Sequence, residues 1–248
     1  MKNKIFLFLP LSMAMFLSSC NNELKSVYET DSTIETRAAS SYDFLKITEH
    51  LDDKIPVSTI NAALTDMCAE KEYSNLYRLD ENNGYKFSDV LIDPDIEEPA
   101  TATYNVETRV FKFYDVSAIN ALTLTEEFLH MNQHYLYNGL GKYWNEGMSN
   151  IEFEAKFVQD VINYRGFSPT QFLSEGKYHM ADFIDWMDSF ADSSDFPTFS
   201  QVKSGKGDCT WWNFVEDFRQ NNLTIRPYAV PVDKSLTGKL VDLIGSNN

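Results

Sequence analysis

The segment from Glu126 to His134 constrains the chain more than any other, because it sets metal-ligating side chains at helical spacing. Glu126, His130 and His134 follow one another at intervals of four residues and so share one face of a helix. Residues 126 and 134 would lie roughly 12 Å apart at ~1.5 Å per residue, too far for one ion with bonds of ~2 Å to bind both. The spacing therefore predicts one of two ligand pairs, Glu126 with His130 or His130 with His134.

A second acidic run, Glu-Phe-Glu-Ala at 152–155, begins 22 residues after His130 in another segment with helical periodicity. At about 100° per residue, Glu154 falls inside the apolar face of this helix and Glu152 falls outside it. A carboxylate within an apolar face needs a partner, which a metal ion or a histidine can provide. The residues leave open which glutamate supplies a third ligand. The polar side that carries Glu152 also includes Lys156, Gln159 and Asp160.

A single change, histidine for Glu126, would turn residues 126–130 into His-Glu-x-x-His. In that zinc motif two imidazoles one helical turn apart hold the metal, and the glutamate between them activates water. Residues 152–155 fit a Glu-x-x-Ala element. Through these two runs, the segment from about 100 to 165 resembles the gluzincins. These are zinc metallopeptidases whose third ligand is a glutamate on a following helix, within a Glu-x-x-Ala or Glu-x-x-Ser-Asp run.

The resemblance implies a zinc site in which Glu127 is the catalytic residue that activates water. Its metal ligands would be His130, Glu126 and one of Glu152 or Glu154, with His134 as the alternative second imidazole. A carboxylate in place of a neutral imidazole lowers the net positive charge of the ion, so we expect a peptide hydrolase with weak or lost activity, a pseudoenzyme in the latter case. The alternative is a non-catalytic binding or scaffold protein of the cell envelope that keeps the peptidase fold and holds peptide or glycan.

The N-terminus predicts export. Lys2 and Lys4 precede an apolar stretch that runs from Ile5 to Leu17 and ends in Leu-Ser-Ser-Cys20. This stretch is too short to span a bilayer and stops at small residues beside a cysteine, which is typical of a signal peptide, here residues 1–19. The ending resembles the lipobox of bacterial lipoproteins. It implies a lipidated Cys20 that anchors the protein to a membrane of the cell envelope, with the outer membrane expected, outside the cytoplasm.

Beyond the signal peptide, we expect a lipidated N-terminus with a flexible tether over 20–41 and one folded domain over 42–248. The formal net charge of -16 excludes a nucleic-acid partner, because phosphates would be repelled. Cys68 and Cys209 form an even pair for an oxidising compartment, and the sequence leaves open whether they form a disulfide or stay separate thiols.

Hydrophobic periodicity predicts an α+β fold, a mostly helical single domain with a small sheet in its N-terminal half. Phe44, Ile47 and Leu51 have the spacing of one helix face, and a further helix should hold Ile60 to Cys68. Strands are expected over 85–92 and in a hairpin of 101–105 with 109–114. The remaining helices are predicted at about 117–137, 148–165, 170–175, 179–191 and 210–220.

Overall fold

A four-stranded sheet and eight α-helices make up the described part of the chain. A computed structural model describes residues 42–96, 100–166, 173–174, 180–191, 195–204, 210–225 and 228–246. The strands are β1 (Thr48–Leu51), β2 (Phe87–Ile92), β3 (Ala102–Tyr104) and β4 (Val110–Phe113). The helices are α1 (Val57–Met67), α2 (Lys71–Asn83), α3 (Ala121–Leu136), α4 (Met148–Gly166), α5 (Met180–Ala191), α6 (Phe199–Lys203), α7 (Trp211–Asn221) and α8 (Lys239–Ser246).

The sheet has the strand order β1-β2-β4-β3 and stands before the motif helix α3 in the chain. β2 pairs in parallel with β1 on one side and with β4 on the other. β3 pairs antiparallel with β4, opposite Phe111 and Phe113, and forms one edge. Phe87, Phe111 and Phe113 are fully buried, so one sheet face closes the core and carries Tyr104 of β3 toward α3.

The predicted hairpin, the strand around Phe87 and five of the predicted helices are confirmed. The predicted helix at 170–175 falls largely outside the described residues. The helix predicted from Phe44 to Leu51 is wrong, because Phe44–Lys46 form a single 3₁₀ turn and β1 follows at once. The Asp43 side chain accepts a hydrogen bond from the Leu45 amide at 3.1 Å and caps that turn. A 3₁₀ turn also places residues three apart on one side, so the spacing of Phe44 and Ile47 fits both structures.

α4 lies at the centre of the molecule. Every residue of α4 from 151 to 162 is buried, including the polar side that carries Lys156, Gln159 and Asp160. The predicted polar side of this helix is therefore buried together with its apolar face. Asp160, for example, accepts hydrogen bonds from the backbone amides of Leu173 and Ser174 at 3.0 and 2.8 Å. α4 contacts α3, α5, α7 and α8, which leaves none of its sides to solvent over these three turns.

One large hydrophobic cluster runs through the described residues from Phe44 to Ile244 and joins the sheet to the surrounding helices. Its centre is aromatic, with Phe157, Trp186, Trp211 and Phe214 in edge and stacked contacts at 4.6–6.3 Å between ring centroids. In the described part of the chain, no helix is long and apolar enough to span a membrane.

A buried acid–amide pair joins α2 to α3. Asn132 donates from Nδ2 to Asp80 Oδ2 at 3.0 Å, and both side chains are fully buried. Asp80 Oδ1 and Asn132 Oδ1 have no hydrogen-bond partner among the described residues. A proton on Asp80 would satisfy both oxygens, because the acid could then donate to the amide oxygen. Burial raises the pKa of Asp80 well above its usual value, which agrees with a neutral acid.

We expect Asp80→Asn to match the wild type within about 1 kcal/mol in the free energy of unfolding near pH 4, because an amide hydrogen replaces the acid proton, and to be the more stable of the two near pH 7. A folded-state pKa above the unfolded value means that the folded protein binds the extra proton, so the contribution of Asp80 to stability falls as pH rises above roughly 4. The Asp80→Asn variant lacks this contribution. Urea unfolding at about pH 4.5 and about pH 7 should show a smaller pH dependence for the variant. The same pH dependence in both proteins would contradict a protonated Asp80.

Candidate metal centre

The start of α3 and its packing against α4 direct His130 into the interface between the two helices. Asn120 caps α3 by accepting a hydrogen bond from the Thr123 amide at 3.1 Å, and the helix continues to Leu136. α3 packs against α4, as the resemblance implies by taking ligands from both helices, and His130 Nε2 lies 3.3 Å from Glu152 Oε2. Both side chains are more than nine-tenths buried, so this contact lies in a largely water-free interface.

Three of the predicted ligands come together. One ligand atom from each of Glu126, His130 and Glu152 lies within 4.8 Å of the others. A tetrahedral ion with bonds of ~2.0–2.2 Å sets its ligand atoms roughly 3.5 Å apart, so small side-chain rotations would bring the three onto one ion. Two carboxylate oxygens and one imidazole nitrogen suit zinc, and the residues fit that metal in number and chemistry.

A hydrogen bond between Nδ1 of His130 and the side chain of Gln133 fixes the orientation of the imidazole ring. His130 Nδ1 lies 2.8 Å from Gln133 Oε1. The Gln133 amide nitrogen donates to the Ile151 carbonyl and to Glu154, both at 2.8 Å, which leaves its oxygen for the ring. The Nδ1 nitrogen therefore carries a hydrogen, and Nε2 faces Glu152. Gln133 was not predicted as a site residue, although its i+3 position after His130 is the signal that could have found it.

Glu154, the alternative third ligand, lies outside this cluster. One of its oxygens accepts from Gln133 and Tyr137, and the other accepts from the backbone amide of Leu240 at 2.8 Å. The Glu154 carboxylate is thus hydrogen-bonded to the first turn of α8, where the helix dipole favours negative charge. Burial raises the pKa of Glu154 to about 7, although these donors lower it in part. The partner that its apolar surroundings require is a helix N-terminus, and the structure brings Glu152 to His130 instead.

His134, the alternative imidazole, is also separate from the cluster. It is half-buried, burial lowers its pKa, and its Nδ1 has no hydrogen-bond partner in the residues that the structure describes.

Cys68 is a buried free thiol, and burial raises its pKa to about 12. The predicted lipidation site Cys20 and the second cysteine Cys209 lie outside the described residues.

Lys156 is a member of the site that the sequence did not reveal. Its ammonium lies 2.8 Å from Glu126 Oε1 and 5.4 Å from the centre of the Tyr228 ring. Burial would raise the pKa of Glu126, but the charges on Lys156 and His130 lower it below its usual value. Helix periodicity had placed Lys156 on the polar side of α4, and that side is buried against α3.

Neighbouring charges shift the pKa values of the buried groups in this cluster. Burial alone would lower the pKa of His130, but Glu152 beside it, with Glu127 and Glu126, raises that pKa to about 10. Burial raises the pKa of Glu127 to about 8, and the charge on His130 offsets part of that rise. Near neutral pH these shifts leave Glu126 as a carboxylate beside two cations, His130 and Lys156.

One tyrosine of the sheet covers the site. Tyr104, on the edge strand β3, stacks on the His130 ring with 6.3 Å between ring centroids and 21° between planes. Its hydroxyl is buried and has no hydrogen-bond partner within the described ranges. Glu127 on α3 is 8 % exposed and retains a carboxyl group that can hold or release a proton. The arrangement can bind a divalent cation and handle a proton beside it.

Comparison with known protein families, with curated proteins and with solved structures gives no match.

Proposed function

We propose that this chain is an exported lipoprotein whose domain holds one divalent cation, zinc by donor chemistry, in a degenerate metallopeptidase-like site. The observation that carries the proposal is the convergence of Glu126, His130 and Glu152 within 4.8 Å at the contact of α3 with α4. Carboxylate and imidazole from adjacent turns of one helix, with a carboxylate from the next helix, form the ligand set that the gluzincin resemblance implies. Glu127 follows the first ligand directly, at the position of the water-activating residue.

A zinc ion in this position would polarise a peptide carbonyl and lower the pKa of a bound water. Glu127 would take the proton from that water in its ionised form, which a pKa raised by burial to about 8 makes the minor form near pH 7. Gln133 would keep Nε2 of His130 directed at the ion. A site with two carboxylates and one imidazole leaves the ion less positive than a site with one carboxylate and two imidazoles. The hydrolysis that we propose is therefore weak.

Glu127→Gln tests the assignment of the base. The variant keeps the size of the side chain and loses the carboxylate, so zinc affinity should change less than about threefold while zinc-dependent peptide hydrolysis falls about tenfold or more. Zinc titration and hydrolysis of a mixed peptide library by the full-length protein give the two readouts. Unchanged hydrolysis in the variant would remove Glu127 from the proposed mechanism. A loss of zinc affinity as large as the loss of hydrolysis would mean that Glu127 is a metal ligand.

A second candidate is a non-catalytic binding or scaffold protein of the cell envelope that holds peptide or glycan. Two ion pairs favour it, Glu126 with Lys156 at 2.8 Å and His130 with Glu152 at 3.3 Å, because they balance the buried charges without a metal. Absence of zinc binding by a folded wild-type protein would leave this candidate in place of the first.

Anchoring at Cys20 is a separate part of the proposal. We expect Cys20→Ala to leave the protein unprocessed or to release it from membranes, because no other residue of the lipobox-like run can carry the thioether-linked lipid. Membrane fractionation and the migration of the protein on a gel measure both effects, with Cys68→Ala as the matched cysteine variant. Identical fractionation and migration of Cys20→Ala and wild type would contradict the lipoprotein assignment.

A further inference from the structure

Lys156 is a buried cation placed among the residues of the proposed metal site. It is 9 % exposed, and its ammonium lies 2.8 Å from Glu126 Oε1. The Tyr228 ring covers it, with 5.4 Å from Nζ to the ring centre. A buried ammonium is costly without a charged partner, so the contact with Glu126 holds this side chain in position.

The geometry makes Glu126 the shared partner of two cations. Lys156 follows Glu152 by one helical turn on α4, so both side chains face α3 from the same side. Glu126 is at once the partner of Lys156 and one of the three residues whose ligand atoms lie within 4.8 Å. A divalent cation bound to Glu126, His130 and Glu152 would therefore lie close to the Lys156 ammonium. Two positive charges at one partly buried carboxylate repel each other.

We propose that Lys156 is a built-in competitor for the metal, which pairs with Glu126 when no ion is bound and is displaced when a divalent cation binds. The inference rests on the proposed function, because it concerns the same ligands. It explains why an ammonium is buried at this position, since its charge replaces that of an ion and keeps the carboxylates neutralised. It also makes the affinity of the site depend on the charge of a residue that is not a ligand.

Lys156→Met separates the charge of this side chain from its packing. Methionine keeps an unbranched apolar stem under Tyr228 and removes the ammonium, so zinc should bind the variant at least tenfold more tightly than the wild type. Lys156→Arg keeps the positive charge and should not tighten binding. Lys142→Met, at an exposed lysine outside the cluster, is the matched control and should bind zinc as the wild type does. The measurement is calorimetric titration of each full-length protein with zinc chloride.

A second measurement uses the unaltered protein and does not depend on the folding of a variant. Lysines are reductively methylated with and without zinc, and the extent at each lysine is read by mass spectrometry. We expect zinc to raise methylation of Lys156 at least threefold and to leave Lys142 unchanged. Unchanged methylation of Lys156 at saturating zinc would overturn the inference.

The outcomes distinguish this inference from the proposed function. Equal zinc affinity of wild type and Lys156→Met would overturn the competitor role and leave the metal site standing. Absence of zinc binding in both proteins, each shown to be folded by circular dichroism, would overturn the metal site and the competitor role together. Binding that appears only in Lys156→Met would show that Lys156 blocks the site, and would overturn both the displacement of Lys156 by zinc and a metal function of the native chain.

Discussion

Replacing Glu154 by leucine is expected to lower the free energy of unfolding by roughly 3–5 kcal/mol. The carboxylate accepts hydrogen bonds from Gln133, Tyr137 and the Leu240 amide at 2.8–3.1 Å, with the Val241 amide at 3.4 Å. Leucine fits the volume but leaves the Leu240 amide and one hydrogen of the Gln133 amide without an acceptor. Urea unfolding followed by circular dichroism measures the loss.

Glu146→Leu provides the control for this substitution. Glu146 is an exposed glutamate just before α4, so the same change there should alter stability by less than about 0.5 kcal/mol. Glu154→Gln should fall between the two, because the amide keeps one acceptor and turns a nitrogen toward the remaining donors. Equal unfolding midpoints for Glu154→Leu and wild type would contradict the role of this carboxylate as the link between α4 and α8.

The double substitution Glu126→His with Lys156→Met is expected to raise zinc affinity at least 1,000-fold, which is about 4 kcal/mol. Histidine at 126 completes His-Glu-x-x-His and gives the ion two imidazoles from adjacent turns of α3. Glu126→His alone should gain less, because the change removes the carboxylate partner of Lys156 and leaves an unpaired ammonium beside the ion. Zinc titrations of the two single variants and the double variant measure the difference.

Addition of His130→Ala to this double variant should cancel the gain, since residues 126 and 130 must bind the same ion. A gain that persists without His130 would mean that zinc binds elsewhere on the protein. Equal, negligible zinc binding in every variant would mean that the similarity to the zinc motif is limited to the sequence of a helix that binds no metal. The non-catalytic binding candidate would then replace the metal site.

The resemblance implied the contact between α3 and α4, because it takes metal ligands from both helices, and the two helices themselves were predicted by periodicity. Periodicity had no further information on the ligands. It could not decide between Glu152 and Glu154. The helical position of Glu154 within the apolar face correctly indicated a carboxylate that needs a partner. That partner is the first turn of α8, 86 residues further along the chain at Leu240, and no local pattern reveals so distant a contact.

Two features that the sequence did not reveal have a common origin in tertiary structure. Lys156 and Asp160 lie on the predicted polar side of their helix, and both are buried because α4 is surrounded by other helices. Thr48 to Leu51 look helical together with Phe44, and they form a strand because β2 offers a parallel partner at Phe87 to Val90. Local patterns report the average environment of a segment, and long-range pairing decided both cases.

The metal site is tested most directly by one comparison of two histidines in the full-length protein. His130 is buried at the contact of α3 with α4, whereas His50 is an exposed histidine whose Nδ1 lies 3.2 Å from Asp89. In calorimetric titrations with zinc chloride, we expect wild type and His50→Ala to bind one equivalent with equal affinity and His130→Ala to bind at least 100-fold more weakly. Unchanged zinc binding in a folded His130→Ala variant, or no zinc binding by the wild type, would contradict a metal centre built on Glu126, His130 and Glu152.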